Sequence, residues 1–195
     1  MNILIKPSFY SLWGIYRYLF SGILFSFLFL GNPFNVNAQR VALRTNLLEW
    51  VVASPNFGVE FTLSNSLSLE CALSGSPWRM TEDLYLKHIR FQPELKYWFQ
   101  NLLSKHYIGI TAFYDSYDVG LRSKAYYGDA YAVGLTYGYD WILSRRWNLG
   151  ASAGVGAIRY RQDKYTPDIK HDKPNEFGWK FAPVKLEVSL IYLIK

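Results

Sequence analysis

Bulky apolar side chains alternate with small or polar ones along most of the chain after residue 38. Within the clearest stretch, Ala130 to Leu143, every second residue from Tyr131 to Trp141 is Tyr, Val, Leu or Trp, and the residues between them are Ala, Gly, Thr or Asp. A repeat of two is the period of a β-strand, because successive side chains point to opposite faces. The segment is therefore predicted to be one strand, long enough to cross a bilayer when tilted.

Seven further segments alternate in the same way, which gives eight predicted strands. They lie at about 40–48, 56–63, 67–75, 88–99, 106–116, 130–143, 147–160 and 180–194. The links after strands 2, 4 and 6 are short, whereas those at 49–55, 76–87, 117–129 and 161–179 are long. Short turns at one end and long loops at the other are typical of outer-membrane barrels. The predicted fold is all-β, an eight-stranded antiparallel up-and-down transmembrane β-barrel with periplasmic termini and extracellular long loops.

The first 38 residues have the pattern of a secretory signal peptide. Lys6 and Arg17 precede an uncharged apolar run at 18–30, and Val36-Asn37-Ala38 follows as a small-x-small cleavage site. The run of 13 residues is shorter than the roughly 20 that a membrane-spanning helix needs. We expect cleavage before Gln39, so that residues 39–195 form the mature barrel; an uncleaved anchor is the alternative.

Charged residues within the predicted strands fall on the small, polar face. An Arg or Lys facing lipid near the midplane costs about 2–4 kcal/mol, so this face is predicted to line the lumen. The interior of an eight-stranded barrel has room only for side chains, which favours a plug of paired charges over a selective ion path. The predicted lumen charge network consists of Arg44, Glu60, Glu70, Arg90, Glu94, Lys96, Asp140, Lys185 and Glu187.

Aromatic residues gather near the predicted strand ends, where membrane proteins place interfacial aromatic belts. The predicted aromatic girdle at the short-turn end consists of Trp98, Tyr107, Trp141, Trp147 and Tyr192. Other tyrosines lie in or beside the long loops, and their rings offer contact area with a polar end. The candidate loop-binding residues are Tyr85, Tyr117, Tyr126, Tyr127 and Tyr165.

The sequence offers little catalytic chemistry. The 195 residues include 21 basic and 15 acidic side chains with no cluster of Lys or Arg, so no nucleic-acid partner is expected. The three His are not at metal-ligand spacing, and Cys71 is the single cysteine. Lipid-modifying barrels use a His-x-Ser pair, but the residues two after each His are Arg90, Ile108 and Lys173. We expect no catalytic residue, no metal site and no cofactor.

Five blocks of sequence resemble a family of small eight-stranded outer-membrane barrels from gut-type Gram-negative bacteria. They are RTNLLEW (44–50), PNFGVEF (55–61), FQPELKYWF (91–99), YGYDWILSRRWNLGASAGVG (137–156) and SLIYLIK (189–195). That family carries only a domain-of-unknown-function name, and some members lie beside fimbrial genes. More loosely, the plan is similar to OmpA- and OmpX-type barrels. The resemblance implies a barrel and supplies no catalytic residues.

These observations predict a monomeric outer-membrane protein with a plugged polar lumen and a structural or binding role. Its expected partners are outer-membrane lipid and, through the long loops, a surface or fimbrial protein or a glycan, in adhesion or in anchoring fimbriae. Two alternatives remain open: a lipid-modifying barrel enzyme, and a secreted soluble β-barrel or sandwich whose apolar face points inward.

Overall fold

The computed structural model describes residues 41–76, 84–121, 124–165 and 176–194, and all of them belong to the unit 39–195. The predicted signal peptide lies outside the described residues. The elements are β1 (Val41–Asn46), α1 (Leu47–Val51), β2 (Asn56–Thr62), β3 (Leu67–Ser76), β4 (Leu84–Trp98), β5 (Lys105–Leu121), β6 (Lys124–Ile142), β7 (Trp147–Tyr165) and β8 (Glu176–Ile194).

Eight antiparallel strands form one closed sheet, in which each strand pairs with its neighbours in the sequence. Six registered pairs join β1 to β8, from Val41 opposite Ile194 to Asn46 opposite Ser189, and they close the ring. The predicted all-β, eight-stranded antiparallel barrel is confirmed. Among the described helices, none has the length and hydropathy that crossing a membrane requires.

The predicted loop at 117–129 is wrong, because most of it is a β-hairpin. Residues of β5 and β6 stay in register up to the pair Leu121 and Lys124. Tyr and Val favour the extended backbone, and the ladder hydrogen bonds outweigh the poor strand propensity of the Asp and Gly between them. The other long links also shorten, since β4, β7 and β8 start or end inside them; residues 77–83 and 166–175 lie outside the described part.

Strand 1 ends two residues before its predicted limit, in a short helix that the alternation did not indicate. Asn46 caps α1, because its side-chain oxygen accepts a hydrogen bond from the backbone N–H of Leu48 at 3.1 Å. The same oxygen accepts from the backbone N–H of Val188 at 3.3 Å. One side chain thus ends β1, starts α1 and ties both to β8.

The outer face of the sheet is apolar and its inner face is polar, which is the reverse of a soluble barrel. Along β6, Val133 and Leu135 are 62% and 66% exposed, whereas Thr136 and Asp140 between the apolar positions are 4% and 1% exposed. Charged and hydroxylic side chains therefore fill the inside of the ring, and large apolar side chains cover its outer wall.

Two small apolar clusters lie inside the barrel, on either side of its charged centre. The cluster at the short-turn end consists of Ala42, Trp98, Leu103, Tyr107 and Ile191. The cluster nearer the other end consists of Phe113, Ala130, Ala132 and Val184. Along β5, Tyr107 and Phe113 belong to these two clusters, and the positions between them pair with the charged part of β4.

The Tyr107 ring lies against Gly138 so closely that a Cβ at residue 138 would overlap it. Gly138→Val is therefore expected to destabilise the barrel by about 1–3 kcal/mol through overpacking. Urea unfolding of the detergent-solubilised protein measures the change. Ala153→Val, on the exposed face of the neighbouring strand, is the matched control and should leave the midpoint unchanged. Equal midpoints for the two variants would contradict the packing.

Candidate functional site

Eight of the nine predicted lumen charges form one buried network inside the barrel. They come from six strands, so the network exists only when the ring is closed. Its members are Arg44, Glu60, Glu70, Glu94, Lys96, Asp140, Lys185 and Glu187. Every one of these side chains is at most 8% exposed.

The network is organised around three carboxylates in one row across neighbouring strands. Glu60 on β2 lies opposite Glu70 on β3, and Glu70 lies opposite Glu94 on β4. Like charges directly opposite each other destabilise a sheet. The row therefore needs cations placed between its members.

Two lysines supply these cations, one for each pair of carboxylates. Lys96 Nζ lies 3.0 Å from Glu60 Oε2 and 2.5 Å from Glu70 Oε2. Lys185 Nζ lies 2.5 Å from Glu94 Oε2 and 3.6 Å from Glu70 Oε2. Glu70, in the middle of the row, thus contacts both ammonium groups.

Arg44 extends the network to the far wall. Its Nη2 lies 2.6 Å from Asp140 Oδ2 and 3.1 Å from Glu60 Oε2, and its Nη1 donates to Ser189 Oγ at 3.0 Å. Space for the guanidinium comes from Gly150, where a Cβ would lie 3.0 Å from Nη1 and 2.6 Å from Asp140 Oδ1. The small residue on β7 is needed because the long side chain reaches across from β1.

The network contains five carboxylates and three cations, and hydroxyl donors meet part of this excess. Ser68 Oγ donates to Glu60 Oε1 at 2.5 Å, and Thr136 Oγ1 donates to Glu94. Lys185 Nζ also lies 2.7 Å from Glu187 Oε2, which accepts from Ser152 Oγ at 3.3 Å. The carboxylates are thus held by both charge and hydrogen bonds.

Arg90, the ninth predicted member, lies apart from this network. Its Nη2 and Nε donate to Asp115 Oδ2 at 2.7 Å and 2.9 Å, and its guanidinium lies over the Phe113 ring at 4.8 Å. The prediction missed Asp115, because strand 5 alternates least regularly. Arg90 and Asp115 form a separate pair nearer the long-loop end.

Trp98 and Tyr107 were assigned to the outer girdle, and this prediction is wrong. They are 1% and 0% exposed and lie inside the barrel, with ring centroids 4.7 Å apart. Trp98 Nε1 donates to Ser68 Oγ at 2.8 Å, and Lys96 Nζ lies 4.8 Å from the Tyr107 ring centroid. The turn between β4 and β5 brings Leu103, 2% exposed, beside them. Together, Trp98, Tyr107 and Leu103 form an apolar layer between the charge network and the short-turn end.

The other three girdle residues lie on the outer wall near the short turns. Trp141 and Trp147 are 46% and 43% exposed, and Trp147 packs on Tyr192 with ring centroids 4.9 Å apart. Arg146 Nη1 donates to the Tyr192 hydroxyl at 3.0 Å. These rings present an apolar body with a polar edge at the base of the wall.

The candidate loop-binding tyrosines lie in strands rather than loops. Tyr126 and Tyr127 belong to the β5–β6 hairpin, and Tyr127 is 49% exposed. Tyr117 instead donates its hydroxyl to Gln162 Oε1 at 2.8 Å, within the barrel mouth. Tyr85 and Tyr165 belong to β4 and β7. The β5–β6 hairpin therefore holds three of the five, Tyr117, Tyr126 and Tyr127.

Above the network lies a polar cavity of about 250 Å³. Its lining includes Arg44, Glu70 and Lys185 from the network, with Arg90 and the α1 residue Glu49 nearer the mouth. Burial raises the pKa of Glu49, and the nearby Arg90 only partly offsets this. The interior therefore contains a cavity with space for several water molecules, above the apolar residues of the short-turn end.

A serine, a histidine and an aspartate come together beside this mouth. Ser54 Oγ lies 2.8 Å from His88 Nε2, and His88 Nδ1 lies 3.5 Å from Asp115 Oδ1. Ala53, just before the serine, has a left-handed backbone with φ of 56°. The order hydroxyl, imidazole, carboxylate is that of activated serine nucleophiles. Ser54 is nevertheless 1% exposed.

The sequence search could not find these three residues, because it looked for a serine two positions after a histidine. Ser54 follows α1, His88 is in β4 and Asp115 is in β5, so the pairing of the strands from β2 to β5 brings them together. They lie on the inner side of the barrel, where Ser54 and Asp115 are 1% and 6% exposed. Within the described ranges, no group of three His, Cys, Asp or Glu could hold a metal ion.

Comparison with known families matches residues 23–194 to the model of a protein family of unknown function, DUF3575. The chain belongs to the DUF3575 family. No curated protein matches the chain. The family match covers every described strand of this DUF3575 protein, so its barrel and charged interior lie wholly within the family domain.

Removing one partner of an ion pair in the network should lower the unfolding free energy more than removing both partners. Lys185→Met leaves Glu94 and Glu187 buried without their nearest cation, with an expected loss of about 3–5 kcal/mol in unfolding free energy. Adding Glu94→Gln should restore part of that loss, which a double-mutant cycle in urea measures.

The control is Lys180→Met, which makes the same substitution at an exposed position of β8. It should shift the unfolding midpoint little. Additive losses for the Lys185 and Glu94 variants would contradict a coupled network.

Proposed function

We propose that the protein is exported, loses residues 1–38, and inserts into the outer membrane as a barrel of residues 39–195. One observation supports this above all: ionisable side chains are buried inside, while the outer wall is apolar. Large apolar side chains that are more than 40% exposed occur on seven of the eight strands; they include Phe57, Leu73, Ile89, Leu95, Ile110, Leu135, Val155 and Leu186. Soluble monomers rarely expose such a continuous apolar surface.

The described strand lengths support a display role at the long-loop end. β2 and β3 have 7 and 10 residues, whereas β5 to β8 have 17 to 19. At about 3.3 Å per residue, this half of the wall rises well beyond the other. A barrel needs no such extension to span a bilayer. We propose that the raised wall binds a surface or fimbrial protein or a glycan, in adhesion or in anchoring of fimbriae.

The interior supports a plugged lumen rather than a pore. Trp98, Leu103 and Tyr107 fill the short-turn end, and the paired charges and a cavity of about 250 Å³ lie above them. The role proposed for the charges is to hold the wall strands together.

Location tests the first proposal. We expect the protein in the outer-membrane fraction, beginning at Gln39, with migration on gels that changes on heating as a closed barrel unfolds. Fractionation, N-terminal sequencing and gels of heated and unheated samples measure this. Recovery of folded protein from a detergent-free periplasmic extract would overturn it, as would an N-terminus at Met1.

Trimming the β5–β6 hairpin tests the display role. Tyr117 and Gly128 are paired, so residues 118–127 can be replaced by Asn-Gly, which makes a two-residue hairpin turn. We expect the trimmed protein to insert normally and to lose several-fold in surface attachment or fimbrial assembly.

Tyr126→Ala with Tyr127→Ala is the second variant, since it removes the two rings without shortening the strands. Unchanged attachment and assembly with both variants, at normal insertion, would contradict binding at this wall.

The Ser54, His88 and Asp115 contacts favour a second candidate function, ester hydrolysis at the barrel mouth. Ser54 Oγ would attack an ester carbonyl while His88 Nε2 takes the hydroxyl proton and passes it to the departing alcohol. Water would then release the acyl group from Ser54. Because Ser54 is buried, substrate would reach it only after displacement of the residues around α1.

A fluorophosphonate probe tests the second candidate. Hydrolase activity predicts labelling of the inserted wild-type protein and at least about tenfold less labelling of Ser54→Ala and His88→Ala. Heat-dependent gel migration shows whether each variant is folded. An inserted wild type without label would eliminate the candidate and leave the three residues as a contact that fastens the end of α1.

A further inference from the structure

The outer wall of the barrel carries a site with a net positive charge beside its apolar surface. On β6, β7 and β8 the register places Tyr131, Arg159 and Trp179 side by side in one row. The next row towards the mouth holds Asp129, Arg161 and Phe177. Both arginines are exposed, and Trp179 and Phe177 are 70% and 82% exposed.

Across the described strands, no ion pair involves Arg159 or Arg161. Arg159 lies over the Trp179 ring at 5.8 Å, and Asp129, opposite Arg161, accepts a hydrogen bond from the Tyr114 hydroxyl at 2.8 Å. The two rows therefore offer two cations against one carboxylate.

A groove runs from this basic site down into the apolar wall. Ala157 lies between Val133 and Phe181 in the row below the arginines, and its small side chain leaves a gap between larger neighbours. The gap belongs to a groove of about 570 Å³ that Tyr131, Arg159, Arg161 and Trp179 also line. We call this the β6–β8 groove.

We propose that the β6–β8 groove binds a membrane lipid with a phosphorylated headgroup. The headgroup phosphate accepts from Arg159 and Arg161, and one acyl chain lies over Ala157 between Val133 and Phe181. Trp179 and Tyr131 flank the headgroup at the level that aromatic side chains occupy in membrane proteins. Guanidinium groups suit phosphate because they donate two parallel hydrogen bonds. The inference rests on the proposed insertion into the outer membrane.

The test compares how much lipid A each variant retains, and insertion of every variant is checked separately. Wild-type protein is inserted into phosphatidylcholine vesicles that contain a minor fraction of lipid A, then released in mild detergent for native mass spectrometry. The variant Arg159→Gln with Arg161→Gln should retain at least about tenfold less lipid A, because each arginine at a membrane surface strengthens anionic-lipid binding several-fold. Heat-dependent gel migration reports insertion separately.

Arg145→Gln with Arg146→Gln is the matched control, since it removes two arginines from the β6–β7 turn at the opposite end. It should retain lipid A as the wild type does. Ala157→Phe fills the groove while keeping both arginines, and it should also weaken retention several-fold.

Equal retention by wild type and the Arg159 and Arg161 variant, with normal insertion of both, would overturn the lipid site and leave the membrane barrel standing. An equal loss of lipid A retention in the Arg145 and Arg146 control would also overturn the lipid site, because retention would then depend on the total charge of the protein. Failure of the wild type itself to insert would instead contradict the proposed function.

Discussion

Glu60, Glu70 and Glu94 lie side by side on three neighbouring strands, and the interior of the barrel is arranged to keep them paired. Such a row repels itself unless cations lie between its members. Lys96 comes from β4 and Lys185 from β8, so the row is neutralised only when distant strands have met. Arg44 on β1 adds the contact to β6 through Asp140. Closure of the ring and pairing of the charges therefore require each other.

The same constraint determines the shape of the rest of the molecule. Long charged side chains fill the centre, so the residues facing them must be small, as Gly150 is beneath Arg44 and Gly138 is beneath Tyr107. Apart from the two small apolar clusters inside, the large apolar residues then occupy the outer wall. A stable charged interior and an apolar exterior are two results of one alternating pattern. This links the network to the proposed membrane location.

The alternation of side chains was enough to predict the eight strands and their antiparallel order, because period two is a local property of the chain. It was also enough to place nine charged residues on the inner face, eight of which join the network. Their partners depend on register and on closure, which no local pattern contains. The end of β1 was missed because the Asn46 cap depends on α1 and β8. The hairpin of β5 and β6 was missed because ladder hydrogen bonds extend strands through unfavourable residues.

The error at Trp98 could have been avoided from the sequence. Trp98 has the same parity as Glu94 and Lys96 on β4, so it belongs to the inner face, but it was grouped by its nearness to a strand end. The contact of Ser54 with His88 and Asp115 could not have been found in this way, because it joins a loop to two strands. An odd or even position along a strand predicts which face a side chain is on, whereas its contacts with distant residues depend on the folded ring.

The proposed insertion places the apolar face against lipid and the charged face towards the interior. Spin labels on single cysteines in a Cys71→Ser background test it directly, with sites at Val133, Leu135 and Val155 on the outer wall and Thr136 inside. In lipid vesicles, oxygen should relax the outer labels strongly, a water-soluble nickel chelate should not, and neither should reach residue 136. Outer labels that the nickel chelate relaxes as readily as oxygen does would contradict insertion with the apolar face outward.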